Sequence, residues 1–191
     1  MKKILFTVAF LVSGALFAQG KLAVVDMMVL LRNHSNYDTN KDLLLSTEKN
    51  CNKRVENFKK ELLRVQEEGK KLAQEYRNPM LSATAKQKIE DNMTRVQQEY
   101  MDVQQRLRTE MLNAQREIQD LEALLLKKQT EDIRAKIATL AGNEGVELVM
   151  DRNAVLFNAK GIDLTDKVLT SMGVDPAKAI NPREAEKNEG K

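Results

Sequence analysis

The sequence predicts a mostly α protein with a small β part, in which a long antiparallel coiled-coil hairpin projects from a small body. Three observations carry this. Apolar residues recur at steps of three and four from Cys51 to Leu140. One strong break, Asn78-Pro79-Met80, divides that run, and beyond Gly142 and Gly145 the period shortens from helix to strand.

The first observation fixes the arms. Cys51, Val55, Phe58, Leu62, Val65, Leu72 and Tyr76 form one stripe, with Gly69 where the next apolar residue is due. Ile89, Met93, Val96, Tyr100, Val103 and Leu107 repeat the pattern beyond the break. Strands alternate every second residue and globular helices drift nearer 3.6, so a sustained 3,4 spacing selects helix packed against helix. After Leu107 the step becomes four and four through Met111 and Ala114 before Ile118, Leu121 and Leu125 resume, a stutter that locally relaxes the supercoil. The seam loosens again near Ile133, Ile137 and Leu140.

The remaining elements follow in order. Residues 1–18 read as a signal peptide: Lys2-Lys3, an apolar run from Ile4 to Phe17, then Ala18 before Gln19. A retained anchor is the alternative, although the run is short for a membrane span. Residues 19–36 hold a strand at Leu22-Ala23-Val24-Val25 and a brief helix that Asp26 can cap. Residues 37–77 form the first arm, 78–82 the tip and 83–141 the second arm. The second arm outreaches the first, so its surplus carries the chain back to where it began. Residues 142–173 are read as a β-hairpin, Val146 to Met150 turning at Asp151-Arg152-Asn153 into Ala154 to Asn158, followed by a closing helix opened by Asp163. Residues 174–191, with Pro176, Pro182 and mixed charges, read as a disordered tail.

Composition bounds the rest. With 31% charged residues, 4% aromatic and no Trp, the chain lacks the means for a large compact core, so its burial comes from long thin seams. Lys and Arg number 31 against 28 Asp and Glu, and removing Lys2 and Lys3 leaves 29 against 28, which argues against nucleic acid as a partner. Cys51, the sole cysteine, sits on the seam and reads as a buried thiol packed as a hydrophobe, ahead of an intermolecular disulfide. Neither a cofactor nor a metal is implied by any ligand spacing. His34 reads as a solvated loop residue, and Glu67-Glu68, Glu90-Asp91 and Glu131-Asp132 as solvated helix faces rather than acid–base pairs. The chain is therefore not read as an enzyme.

Short strands and a seam one helix wide leave a sheet that is marginal alone, which implies an oligomer. Val24, Val25, Leu148, Met150, Val155 and Phe157 are the candidates for its shared body, each worth roughly 1.5–3 kcal/mol when fully covered. Leu63, Met101, Leu112 and Leu126 lie off the seam, and Met80 and Leu81 at the tip; these six are the candidates for facing an enclosed space.

Leu22-Ala23-Val24-Val25-Asp26, the segment from Val146 to Asn158, and the closing Asp163-Leu164-Thr165-Asp166-Lys167-Val168-Leu169 resemble the Skp/OmpH family of periplasmic chaperones. The resemblance spans nearly the whole mature chain in element order, with the strand and closing-helix segments its specific part. It implies a small β-barrel body shared between three chains, a homotrimer whose hairpins hang as tentacles around a cavity. It further implies an ATP-independent holdase that encloses unfolded outer-membrane proteins before their insertion, and leaves room for transient contact with the membrane surface. Family members are often strongly basic, whereas this chain is nearly neutral, so apolar contact and confinement are expected to outweigh electrostatics here. The rival reading is a structural coiled-coil scaffold or spacer of the cell envelope, which explains the arms equally well.

Overall fold

The computed structural model describes residues 21–157 and 161–183; the signal-peptide expectation for residues 1–18 lies outside them. Strand β1 (Lys21–Val25) leads into helix α1 (Met27–Arg32), whose N-terminus is capped by Asp26: the Val29 amide donates to its carboxylate at 3.3 Å. Helix α2 (Tyr37–Tyr76) and helix α3 (Ala83–Glu144) form the hairpin. At about 1.5 Å per residue they are about 60 Å and about 93 Å long, so α3 continues past the root of α2 into the body. Ser82 caps α3, accepting from the Ala85 amide at 3.2 Å. Gly145, at φ 65°, ends it in the left-handed conformation that glycine adopts without a Cβ penalty.

Strand β2 (Val146–Asp151), strand β3 (Ile162–Asp163) and helix α4 (Thr165–Ser171) complete the body. The sheet order is β2-β1-β3 with both pairings parallel to β1, so the expected β-hairpin is replaced. The reason is local. Asp151 accepts from the Asn153 amide at 3.1 Å and turns the chain into a short 3-10 segment, Arg152–Ala154, so Val155 and Phe157 lie outside any strand. Both edges of β1 are then taken, by β2 and by the two-residue β3. Asp163 belongs to β3 and caps the turn beyond it, accepting from the Thr165 amide at 2.9 Å, so α4 begins two residues later than the sequence suggested.

The core of the body lies on one face of this sheet. Ala23, Val25, Leu30, Ile133, Leu164, Val168 and Leu169 are buried there, with Ile137 and Leu140 of α3 packed against them. The sequence assigned Val25 to a surface shared between chains; strand alternation instead points it into the chain's own core. The expected disordered tail is also corrected over residues 174–183. Val174 and Ala179 pack on the core, and the Asn33 side chain holds Ile180 by two hydrogen bonds of 2.9 Å, one in each direction. Arg183 reaches the carboxylate of Asp26, a residue only 3% exposed, at 3.0 Å. Residues 184–191 lie outside the described span.

Candidate functional site

The seam of the arms is closed at mid-length. Val65, Val96 and Val103 form a buried cluster at 0%, 4% and 1% exposure, flanked by half-buried Leu62, Leu72 and Tyr100. Cys51 and Ile89 are buried as well, and Val55, Phe58, Tyr76, Met93 and Leu107 are half-buried. Every residue of the stripe read from the sequence is therefore at least partly withdrawn from water. Gly69 leaves a small notch, where an added Cβ would meet Val96 Cγ1 at 3.6 Å, an ordinary contact distance.

Charged side chains fasten this seam from outside. Arg64 and Arg95 each bridge Glu68 and Glu99, at 3.2 and 2.5 Å for Arg64 and at 3.0 and 3.4 Å for Arg95, closing a four-membered ring across the two helices. Arg54 spans the seam to Glu110 at 2.6 Å and Glu117 at 2.5 Å; those two hydrogen bonds hold its guanidinium above its ordinary pKa. Nearer the tip, the Tyr76 phenol donates to Glu90 at 2.6 Å, which raises the phenol above its usual value. Single exposed ion pairs contribute little, but a ring and a fork set along an antiparallel seam fix which residue faces which.

Because the seam satisfies itself, the apolar residues it leaves out are free for other use. Leu63, Met101, Leu112 and Leu126 are exposed, each by half or more of its surface. Met80 stands out at the tip at 88%, and Leu81 is half-buried beside it. Leu43 and Leu45, which the sequence reading did not single out, are exposed too, as are Leu124 and Met111, the latter read from the sequence as a seam position, and they extend the apolar surface toward the root. Spacing is the signal that finds most of them: Leu63, Met101, Leu112, Leu124 and Leu126 each lie one residue from a seam position, and Leu43 and Leu45 lie before the seam begins at Cys51.

A second apolar surface lies on the outer face of the sheet. Leu22 pairs with Leu148 and Val24 with Met150, and Leu22, Leu148 and Met150 are exposed. Val24, on the central strand, is buried between its neighbours, Val155 is half-buried, and Phe157 is 84% exposed beyond the strands. Parallel sheets are normally covered on both faces, and here the helices cover one.

His34 differs from the solvated loop residue expected. It is buried, with Nε2 at 3.0 Å from Asp132 of α3 and Nδ1 accepting from the Asn36 amide at 3.1 Å. Nδ1 as acceptor places the proton on Nε2, so the ring donates to Asp132 and ties the α1–α2 junction to α3. Both ring nitrogens are engaged in these two contacts. Among the described residues there is no grouping of three or more His, Cys, Asp or Glu suited to a metal, and no helix long and apolar enough to cross a membrane.

The geometry defines a class: a long self-fastened helical hairpin, rich in exposed apolar side chains, rising from a small one-sided α/β body. Residues 21–172 match the family model described as Outer membrane protein (OmpH-like). The chain belongs to this Skp/OmpH family, whose members are periplasmic chaperones rather than enzymes. No curated protein matches the chain.

Proposed function

We propose that this protein is an ATP-independent periplasmic holdase, in which three copies share one body and their hairpins enclose unfolded outer-membrane proteins until membrane insertion. The observation that carries the reading is the pairing of a closed seam with exposed apolar residues beside it. Leu63, Met101 and Leu112 do not hold the hairpin together, yet water-facing leucine and methionine are maintained along its length. Such residues suit many weak contacts to the apolar strands of a client that has not yet found lipid.

The body supports an oligomer on physical grounds. A three-stranded parallel sheet with Leu22, Leu148 and Met150 on an uncovered face, and with an open edge on β2, is stabilised when copies join edges and cover that face. The arms carry nearly balanced charge, so client capture rests on apolar contact and enclosure, and salt weakens it only modestly.

Replacing Leu63, Met101 and Leu112 together by Gln tests the reading. Protection of a urea-diluted outer-membrane barrel from aggregation, followed by light scattering, is expected to fall while assembly and helicity stay intact. Unchanged protection would favour the envelope scaffold or spacer, for which these residues have no task.

A further inference from the structure

At their root the two arms part. Between Tyr37 and Asn50, α2 contributes no buried residue. Leu44 and Leu45 line one side of a cleft of ≈ 410 Å³, and Ile118, Leu125 and Leu126 of α3 line the other. A second cleft of ≈ 400 Å³, bordered by His34 and Asp132, adjoins it toward the junction. Gln129 and Asn40 line both. Gln129 holds the seam position between Leu125 and Ile133, four residues from each, where an apolar residue would continue the pattern. It is 8% exposed, and its Nε2 lacks any hydrogen-bond partner. Among the described residues it is the one buried side-chain nitrogen or oxygen in that condition.

We propose that this root cleft grips an extended apolar segment of unfolded polypeptide. One or two apolar side chains of the segment enter between the Leu44–Leu45 and Leu125–Leu126 pairs, and a main-chain carbonyl accepts the hydrogen bond that Gln129 Nε2 lacks. The inference rests on the holdase reading and locates, within the enclosure, a place where the client is held rather than only confined.

Three features select a polypeptide. A cleft of this volume lies at the small end of ligand pockets, which run from ~300 to ~1,000 Å³, and accepts side chains but no folded domain. The rim carries Lys41 against Glu48 and Glu122, so no strongly charged ligand is favoured. The deciding feature is the orphaned amide. A fatty acyl chain entering the apolar lining offers no acceptor at that depth, whereas a main chain offers a carbonyl at every residue. With the amide turned over, the buried atom would be an acceptor, and a main-chain N–H would match it equally.

The test uses the full chain with Leu45 replaced by a photoreactive benzoylphenylalanine, and a twelve-residue peptide from an apolar strand of an outer-membrane barrel. Irradiation is expected to link the peptide to the cleft, with palmitate failing to compete. Gln129→Leu is expected to raise the melting temperature, since the unpaired amide is gone, and yet to weaken peptide binding about threefold to tenfold, the worth of one hydrogen bond. A raised melting temperature with unchanged peptide affinity would overturn the proposal, as would competition by palmitate. The Gln triple variant of Leu63, Met101 and Leu112 separates the two levels. If it loses protection while Gln129→Leu binds normally, only the cleft proposal fails; if neither variant changes anything, the holdase reading fails with it.

Discussion

The middle and the root of the hairpin are built from the same two helices, yet they solve different problems. At mid-length Val65, Val96 and Val103 are sealed from water and ringed by Arg64, Glu68, Arg95 and Glu99. At the root, Leu44 and Leu125 are only half-buried, a glutamine occupies the seam, and clefts open on its flanks. The middle therefore closes on itself, and the root keeps apolar surface available. A uniform coiled coil would offer a client only its rim.

The comparison is broken most directly by placing one charge in each region. Val103→Asp puts an unpaired carboxylate into the sealed seam and is expected to cost about 3–5 kcal/mol. Leu44→Asp, at a position still half in water, is expected to cost less than about 1 kcal/mol. Thermal melts of arm helicity measure both, and equal losses would show that the root is as closed as the middle.

A smaller effect sharpens the account of the middle. Gly69→Ala adds a methyl at ordinary contact distance from Val96 and removes a helix-weakening glycine, so the arms gain about 1 kcal/mol. Hydrogen exchange across residues 62–100 is expected to slow, and faster exchange would mean that the notch is needed as it is. Arg95→Ala opens the charged ring and lowers the melting temperature slightly at low salt. The difference is expected to disappear near ~1 M salt, where screening acts within ~3 Å.

The smallest effect is a pH dependence near the tip. The Tyr76 phenol is raised by its hydrogen bond to Glu90, so its contribution is complete below the usual phenol value of 10.0. That contribution is lost as pH rises through the higher folded value. Alkaline melts of the parent protein are expected to show this late loss, and Tyr76→Phe to lack it.

Much of the hairpin was legible in the sequence because a seam is a local statement: side chains three and four residues apart share a helix face whatever lies elsewhere. Ser82 and Gly145, as cap and stop of α3, are equally local signals. The body was less legible because its contacts span the chain. Asp132 meets His34 from 98 residues away, and Ile180 meets Asn33 from 147, with no periodicity to announce either. Val155-Leu156-Phe157 has strand composition, but the Asp151 turn and the occupied edges of β1 leave it unpaired, while Ile162–Asp163 is too short to be read as a strand. Gln129 was not legible because a seam announces itself through apolar residues, and a polar residue at a seam position registers there only as a gap.

On the proposed function, copies of this chain complete one another's sheet and so raise a fence of arms around a client. Sedimentation equilibrium at micromolar concentration, on protein beginning at Gln19, with and without a urea-unfolded outer-membrane barrel, measures it directly. The account predicts a mass of three chains alone and three chains plus one client in the mixture, with Leu148→Asp reduced to helical monomers. A stable single chain that leaves the client to aggregate would contradict it.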